Sequence, residues 1–199
     1  MSACGLRLSD EAIRVAVGLR LGATLCSAHQ CPCGSAVDCL GTHALSCKKS
    51  SARIQRHNAL NDVIHRALVR AGVPAIKEPP GLLRTDGKRP DGATQIPWAT
   101  GRCLVWDVTV ADTLAPSYAS LSSISAGKVA ERAAANKVQK YSALSHTHDF
   151  QPIALESLGP YDPSALMYLT QLGKRLVAAS GDPREIFFIS MPLCDSSTF

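Results

Sequence analysis

No stretch of this 199-residue sequence holds an unbroken apolar run of the roughly 18 residues that a membrane-spanning helix needs. The first ten residues lack the apolar core of a secretory signal. There is no internal repeat and no low-complexity tract. Charged residues are scarce, at 19% against 46% hydrophobic, which excludes a solvated disordered chain. Together these absences lead us to expect an intracellular, globular protein. No large excess of one charge is present either: 21 Lys and Arg against 16 Asp and Glu leave +5. That modest positive balance permits nucleic-acid binding without requiring it. The length suffices for one domain plus a small metal-stapled appendage.

Cysteine, by contrast, is plentiful. Disulfides are not expected in a reducing compartment, so clustered cysteines there point to metal or to chemistry. Five of the eight fall between Cys26 and Cys47, with His29 and His43 among them. Cys4, Cys103 and Cys194 stand apart and read as small buried hydrophobes. The cluster runs Cys31-Pro-Cys33-Gly34, and then His43-x-x-x-Cys47. Two close thiols before a glycine turn let the backbone curl around one ion, and a His and a Cys four residues apart share one face of a helical turn. These four N and S donors are the number a closed structural zinc site takes. Cys39, Cys26 and His29 are spare donors in the same segment.

Periodicity organises the rest. Residues 9–21 read as a helix capped by Ser9 or Asp10, with Ile13, Ala16, Val17 and Arg20 or Leu21 at helical spacing. Residues 26–50 lack periodicity and need something to hold them. Residues 52–71 form a second helix on the stripe Ile54, Leu60, Ile64, Ala67, Leu68 and Ala71, ended by Gly72. His57 falls on that stripe and reads as a satisfied core histidine. The period then changes to two. Strands are predicted at 73–78, with 82–84 as a continuation, at 91–96 and at 103–110, and residues 97–101 make a hairpin connection. A Ser-rich loop (113–125), an alanine-rich helix (126–144), a strand (150–155), a helix (163–179) and a short strand (186–189) follow. Helix, three-strand meander, crossover helix, strand and helix predict an α/β fold, a mixed sheet with helices on its faces. The expected boundaries are 1–50 for the N-terminal helix and knuckle, 51–192 for the main domain and 193–199 for a disordered tail.

Two aspartates stand out in this frame. Asp91 ends Arg89-Pro90-Asp91, and fifteen residues later Asp107 interrupts the strand-forming run Leu104-Val-Trp-Asp-Val-Thr-Val110. A carboxylate in such a strand is unfavourable unless it has a partner or a metal. A hairpin centred on Ala99 makes Pro97 and Gly101 symmetric, and it sets Asp91 directly opposite Asp107, with Cβ atoms about 5 Å apart. Like charges so close repel unless a divalent cation lies between them, and a pair of carboxylates suits magnesium. At this point a bulge that breaks the register, or an Asp91 that merely caps a turn, remains an equal alternative.

The residues Arg89-Pro90-Asp91 and Trp106-Asp107-Val108-Thr109-Val110 resemble the PD-(D/E)xK nuclease motif. The order Cys-x-Cys, His-x-x-x-Cys, Arg-His-Asn (56–58), Arg-Pro-Asp, Asp-Val-Thr-Val and Lys-x-x-Lys-Tyr (137–141) is similar to the C-terminal region of site-specific non-LTR retrotransposon proteins. There a zinc knuckle precedes a restriction-endonuclease-like domain. The resemblance spans residues 10–190, and its specificity lies in order and spacing, since each motif is short.

It implies a PD-(D/E)xK fold and a DNA endonuclease that nicks target DNA for element insertion, with DNA as partner, element RNA as a second partner, and a nuclear location. It implies Asp91 and Asp107 as ligands of Mg2+ or Mn2+, and zinc on Cys31, Cys33, His43 and Cys47. The motif's usual lysine position is Thr109 here, so the resemblance displaces that role to the following helix, where Lys137 and Lys140 stand. The stripe Ala126, Ala130, Ala133, Lys137, Tyr141 and Leu144 favours Lys137 as the inward one. Glu78 stands where some members carry an additional acid, and otherwise reads as a solvated strand end. The chain has no reverse-transcriptase segment and is not expected to polymerise. The alternatives are a non-catalytic nucleic-acid-binding module that grips phosphates through Lys48, Lys49, Arg53 and Arg56, and an inert relic.

Overall fold

A computed structural model describes residues 9–82 and 87–185. Helix α1 (Asp10–Leu21) is capped by Ser9, whose hydroxyl accepts from the Ala12 N–H at 3.2 Å, and it ends at Gly22 in the left-handed region. The large members of its expected apolar stripe, Ile13, Val17 and Leu21, are exposed, and only the small Ala16 of that stripe is buried. The helix instead buries its small residues Ala12, Ala16 and Gly18, the last tight against Leu25. The segment read as a loop contains a two-stranded hairpin, β1 (His29–Gln30) and β2 (Ala36–Val37), and a 3-10 turn at Thr42–Leu45.

Helix α2 (Ala52–Arg70) buries Leu60, Ile64, Ala67 and Leu68, whereas Ile54 at its start is exposed. Strands β3 (Ala75–Lys77), β4 (Gly92–Pro97) and β5 (Cys103–Ala111) form an antiparallel meander. Leu82 lies in a 3-10 turn, Pro80–Leu82, not in a continuing strand, because Glu78 adopts φ 49° and the two prolines that follow cannot donate to a ladder. The Ser-rich segment contains a short helix, α3 (Ala119–Ser122). Helix α4 (Lys128–Lys140) then crosses to β6 (Asp149–Glu156), which pairs parallel to β5 from Leu104↔Asp149 to Ala111↔Glu156. The expected last turn of this helix is replaced by a 3-10 stretch, Ser142–His146. Helix α5 (Pro163–Ser180) starts on the buried cap Asp162, whose carboxylate accepts from the Ser164 and Ala165 N–H groups. The expected strand 186–189 and tail 193–199 lie outside the described residues.

The chain is thus a mixed α/β protein whose four-stranded sheet has the order β3-β4-β5-β6 and, among the described residues, five α-helices accompany it. No helix among them is long and apolar enough to cross a membrane. Strand β5 is interior and covered on both faces, which is why its sequence is so continuously apolar. Leu104, Trp106 and Val108 face a core shared with α2 and α5. Ala111 and Ala154 face the alanines of α4, a stripe small enough to let that helix lie close to the sheet. Asp107 alternates onto this second face.

One close approach fixes how β4 meets β5. Gly92 pairs with Trp106, and a Cβ at Gly92 would stand 2.0 Å from the Trp106 ring. The indole lies directly over the glycine backbone, fully buried, and its Nε1 donates to Asn61 Oδ1 at 2.8 Å.

Candidate functional site

The cysteine segment closes on itself. The Cys31 N–H donates to Ser35 O at 2.9 Å, and the Gly34 N–H to Cys31 O at 2.8 Å, with Gly34 at φ 92°. This tight loop brings Cys31 and Cys33 together. The 3-10 turn brings in His43 and the buried Cys47, whose N–H donates to His43 O at 3.0 Å. The donor atoms of Cys31, Cys33, His43 and Cys47 all lie within 4.8 Å of one another. Cys31 Sγ is 3.6 Å from Cys47 Sγ, and Cys33 Sγ is 3.2 Å from His43 Nε2. A tetrahedral zinc sets such donors about 3.5–3.8 Å apart, so the group can hold a metal such as zinc with small adjustments. The side chain and N–H of Ser35 hydrogen-bond to Cys33 and hold its thiol down to about 6, which favours the thiolate a metal needs. The spare donors lie outside this group: Cys26 is held by the Asp38 carbonyl, His29 by the Ser27 carbonyl, and Cys39 is exposed. Cys103 is half-buried, and Cys4 and Cys194 lie outside the described residues.

The two aspartates sit on adjacent strands. Gly92↔Trp106 and the Asp91 N–H donating to Trp106 O at 3.1 Å place Asp91 beside Asp107 at the end of the β4–β5 ladder. The hairpin centre differs from the expected one. Trp98 N–H closes on Arg102 O, and Pro97 pairs with Cys103, so the turn centres on Thr100, not Ala99. A bulged stretch between Ala93 and Pro97 absorbs the difference, two extra residues on β4, where four steps of that strand run beside two of β5. There the Thr94 hydroxyl accepts from the Leu104 N–H at 2.9 Å in place of a backbone carbonyl.

Asp91 Oδ2 accepts from the Val108 N–H at 2.6 Å and lies 3.0 Å from His57 Nε2. The Asp91 carboxylate is thereby bonded to the backbone of the residue after Asp107. Asp107 is 3% exposed, and its Oδ1 is in an ion pair with Lys137 Nζ. Lys140 Nζ is 4.0 Å from Asp107 Oδ2 and donates to the Tyr141 hydroxyl at 2.8 Å. That hydroxyl in turn donates to the Arg89 carbonyl at 2.9 Å. Lys137 and Lys140 of α4 thus both face the acid end of the sheet, with Lys137 in direct contact. Glu78 does not join them: its exposed side chain pairs with Arg89, although its N–H donates to Asp91 O at 2.9 Å. Among the described residues the only group of three or more metal-ligating side chains is the Cys/His group, so the acids make at most a pair. By donor chemistry that pair suits a hard divalent ion completed by water and phosphate.

The sequence reading missed two neighbours. His57 is not a core histidine. It is half-buried, and the hydrogen bond that it donates to the Asp91 carboxylate holds its pKa above the ordinary histidine value despite desolvation. Asn61, one turn later on the same side of α2, is buried. Its side-chain N–H donates to the Asp91 carbonyl at 3.4 Å while its oxygen receives the Trp106 indole. The available signal was their spacing: two polar residues four apart on an otherwise apolar stripe mark one side of a helix turned toward something polar.

Comparison of the sequence with protein-family models finds no matching family, and comparison with curated proteins finds no match.

Proposed function

We propose that this chain is a magnesium- or manganese-dependent DNA endonuclease domain of the PD-(D/E)xK type, carrying a zinc knuckle, of retrotransposon origin and acting on nuclear target DNA. The observation that carries this reading is the convergence of Asp91, Asp107 and Lys137 at one end of the sheet, from two neighbouring strands and the crossover helix. Asp91 and Asp107 would hold the divalent ion, whose chemistry when bound is Lewis-acid polarisation of a phosphoryl oxygen and activation of water. Asp91 is oriented for this by His57 and by the Val108 N–H. Lys137 is ion-paired with the buried Asp107 and is placed to stabilise charge that develops on the phosphate. Lys140, set further back against Tyr141, suits a contact to a neighbouring phosphate. The zinc knuckle braces a segment that has only two short strands of its own.

The test is nicking of supercoiled plasmid. The full chain is expected to nick in magnesium or manganese and not in EDTA. Asp107→Asn should reduce nicking to background, and Lys137→Ala should slow it about 10²–10³-fold. Full activity in purified Asp107→Asn would remove the proposed chemistry.

A further inference from the structure

Beside the acid pair lies an open groove of about 420 Å3. Its walls come from three parts of the chain. Lys48 and Ser50 follow directly after the candidate ligand Cys47. Arg53, Arg56 and His57 occupy the first turns of α2, and Thr109 lies two residues beyond Asp107 on β5. His57 joins groove to acid site through its contact with Asp91. The lining is one-signed: it contains no carboxylate, and none of Lys48, Arg53 and Arg56 is in an ion pair among the described residues. Arg56 is the most telling of them. One guanidinium nitrogen donates to Leu45 O at 2.6 Å, while Nε is buried without a protein partner. The charge of Asp112 offsets part of the desolvation of this cation, and an anion in the groove would offset more.

We propose that this groove seats a phosphodiester strand of nucleic acid and that the metal-bound knuckle holds one of its walls. The proposal shares the nucleic-acid substrate of the reading above but does not depend on cleavage. Three cations line one groove, and contacts of that kind to a phosphate backbone fix position without reading sequence. Leu45 lies between the ligands His43 and Cys47, so the Arg56 bond ties α2 to the metal-bound segment. Lys48 and Ser50 leave the same segment directly after Cys47. Loss of the metal would free that wall while leaving the sheet core intact.

The experiment is equilibrium binding of the zinc-loaded full chain to labelled duplex DNA and to the matching RNA duplex, without magnesium, across a salt series. Lys48→Ala/Arg53→Ala removes two exposed side chains and is not expected to disturb folding. It should weaken binding about tenfold at low salt and make the slope of log affinity against log salt shallower by about two on DNA. Lys174→Ala, an exposed lysine of α5, should bind like the parent. Withdrawal of zinc by a chelator should weaken binding comparably, with the near-ultraviolet dichroism of the buried Trp98 and Trp106 unchanged. Unchanged affinity and slope for Lys48→Ala/Arg53→Ala on both duplexes would overturn the groove, as would an equal loss in Lys174→Ala. Undiminished binding after zinc withdrawal would overturn the role of the knuckle as a wall. Groove-dependent binding in a parent chain that nicks no plasmid supports this proposal while ending the nuclease reading.

Discussion

Gly92→Ala is the sharpest probe of how the acid site is built. The added Cβ would lie 2.0, 2.4 and 2.5 Å from Trp106 Cζ2, Cη2 and Cε2. Van der Waals contact needs about 3.5 Å, so ring or strand must shift by about 1.5 Å. Trp106 is fully buried between α2 and α5, in a core with no room to yield. Overpacking of this kind costs about 1–3 kcal/mol. A displaced indole also loses its bond to Asn61 Oδ1, worth about 1 kcal/mol net. We therefore expect a loss of about 2–4 kcal/mol in urea unfolding followed by far-ultraviolet dichroism. Trp106→Leu removes the clashing ring, so the double variant Gly92→Ala/Trp106→Leu should be more stable than the sum of its singles by about 1–3 kcal/mol. A Gly92→Ala loss within about 0.5 kcal/mol, the range of a neutral surface change, would refute the close approach.

Two further outcomes follow from the charges. The His57 pKa, read by NMR titration of its ring in the absence of divalent metal, should lie above the ordinary histidine value and fall in Asp91→Asn, because the Asp91 hydrogen bond is the main cause of the rise. Since the folded-state value is the raised one, the stability this pair contributes is complete below the unfolded histidine pKa of about 6.5 and is lost as pH rises through the folded value; an unchanged His57 titration in Asp91→Asn would dismiss the pairing. At Asp107 the two halves of the ion pair should differ in stability. Lys137→Ala leaves a carboxylate that is 3% exposed with Lys140 at 4.0 Å as its nearest cation, and it should cost about 1–3 kcal/mol, below the usual figure for a fully buried pair. Asp107→Asn frees a lysine that can turn to solvent and should cost less than about 1 kcal/mol. Equal losses in urea unfolding would show that Asp107 does not depend on Lys137.

The order of elements was legible because each carries a strong local period: the stripe of α2, the continuous apolar run of β5, the alanines of α4. What local period could not reveal is how a face is used. In α1 the large residues Ile13, Val17 and Leu21 set the apparent stripe, yet the buried contacts are made by Ala12, Ala16 and Gly18, where closeness matters more than area. His57 shows the same limit. Its position on the α2 stripe implied an apolar environment, but that stripe changes surroundings along its length. Leu60, Ile64 and Leu68 enter the core, whereas the first turns run past the sheet end, where Asp91 waits. In α4 helical phase separated Lys137 from Lys140 by contact, but both reach Asp107, because a lysine spans more than the angular difference between adjacent stripes.

The apposition of the acids depends on two departures from regularity that cancel. The turn sits one residue later than symmetry about Ala99 implies, which by itself would slide Asp91 out of line with Asp107. That is a slip of two in the pairing, and the bulged stretch of β4 takes up both residues before the strand reaches Gly92, so Gly92 still faces Trp106 and Asp91 still ends beside Asp107. Spacing cannot encode such a bulge, since the count between the aspartates is the same with it or without it. Its chemical mark is Thr94, whose hydroxyl serves the Leu104 N–H and then donates to Ile96 O at 2.7 Å, satisfying the backbone groups that the lost ladder step leaves open. The register at the site end is then held from the other side, by a glycine whose Cβ space the Trp106 ring fills and by an Asn61 that binds both that ring and the Asp91 carbonyl. The geometry of the acid pair is therefore a property of the packed hairpin and α2 together, and not of the fifteen residues between the aspartates.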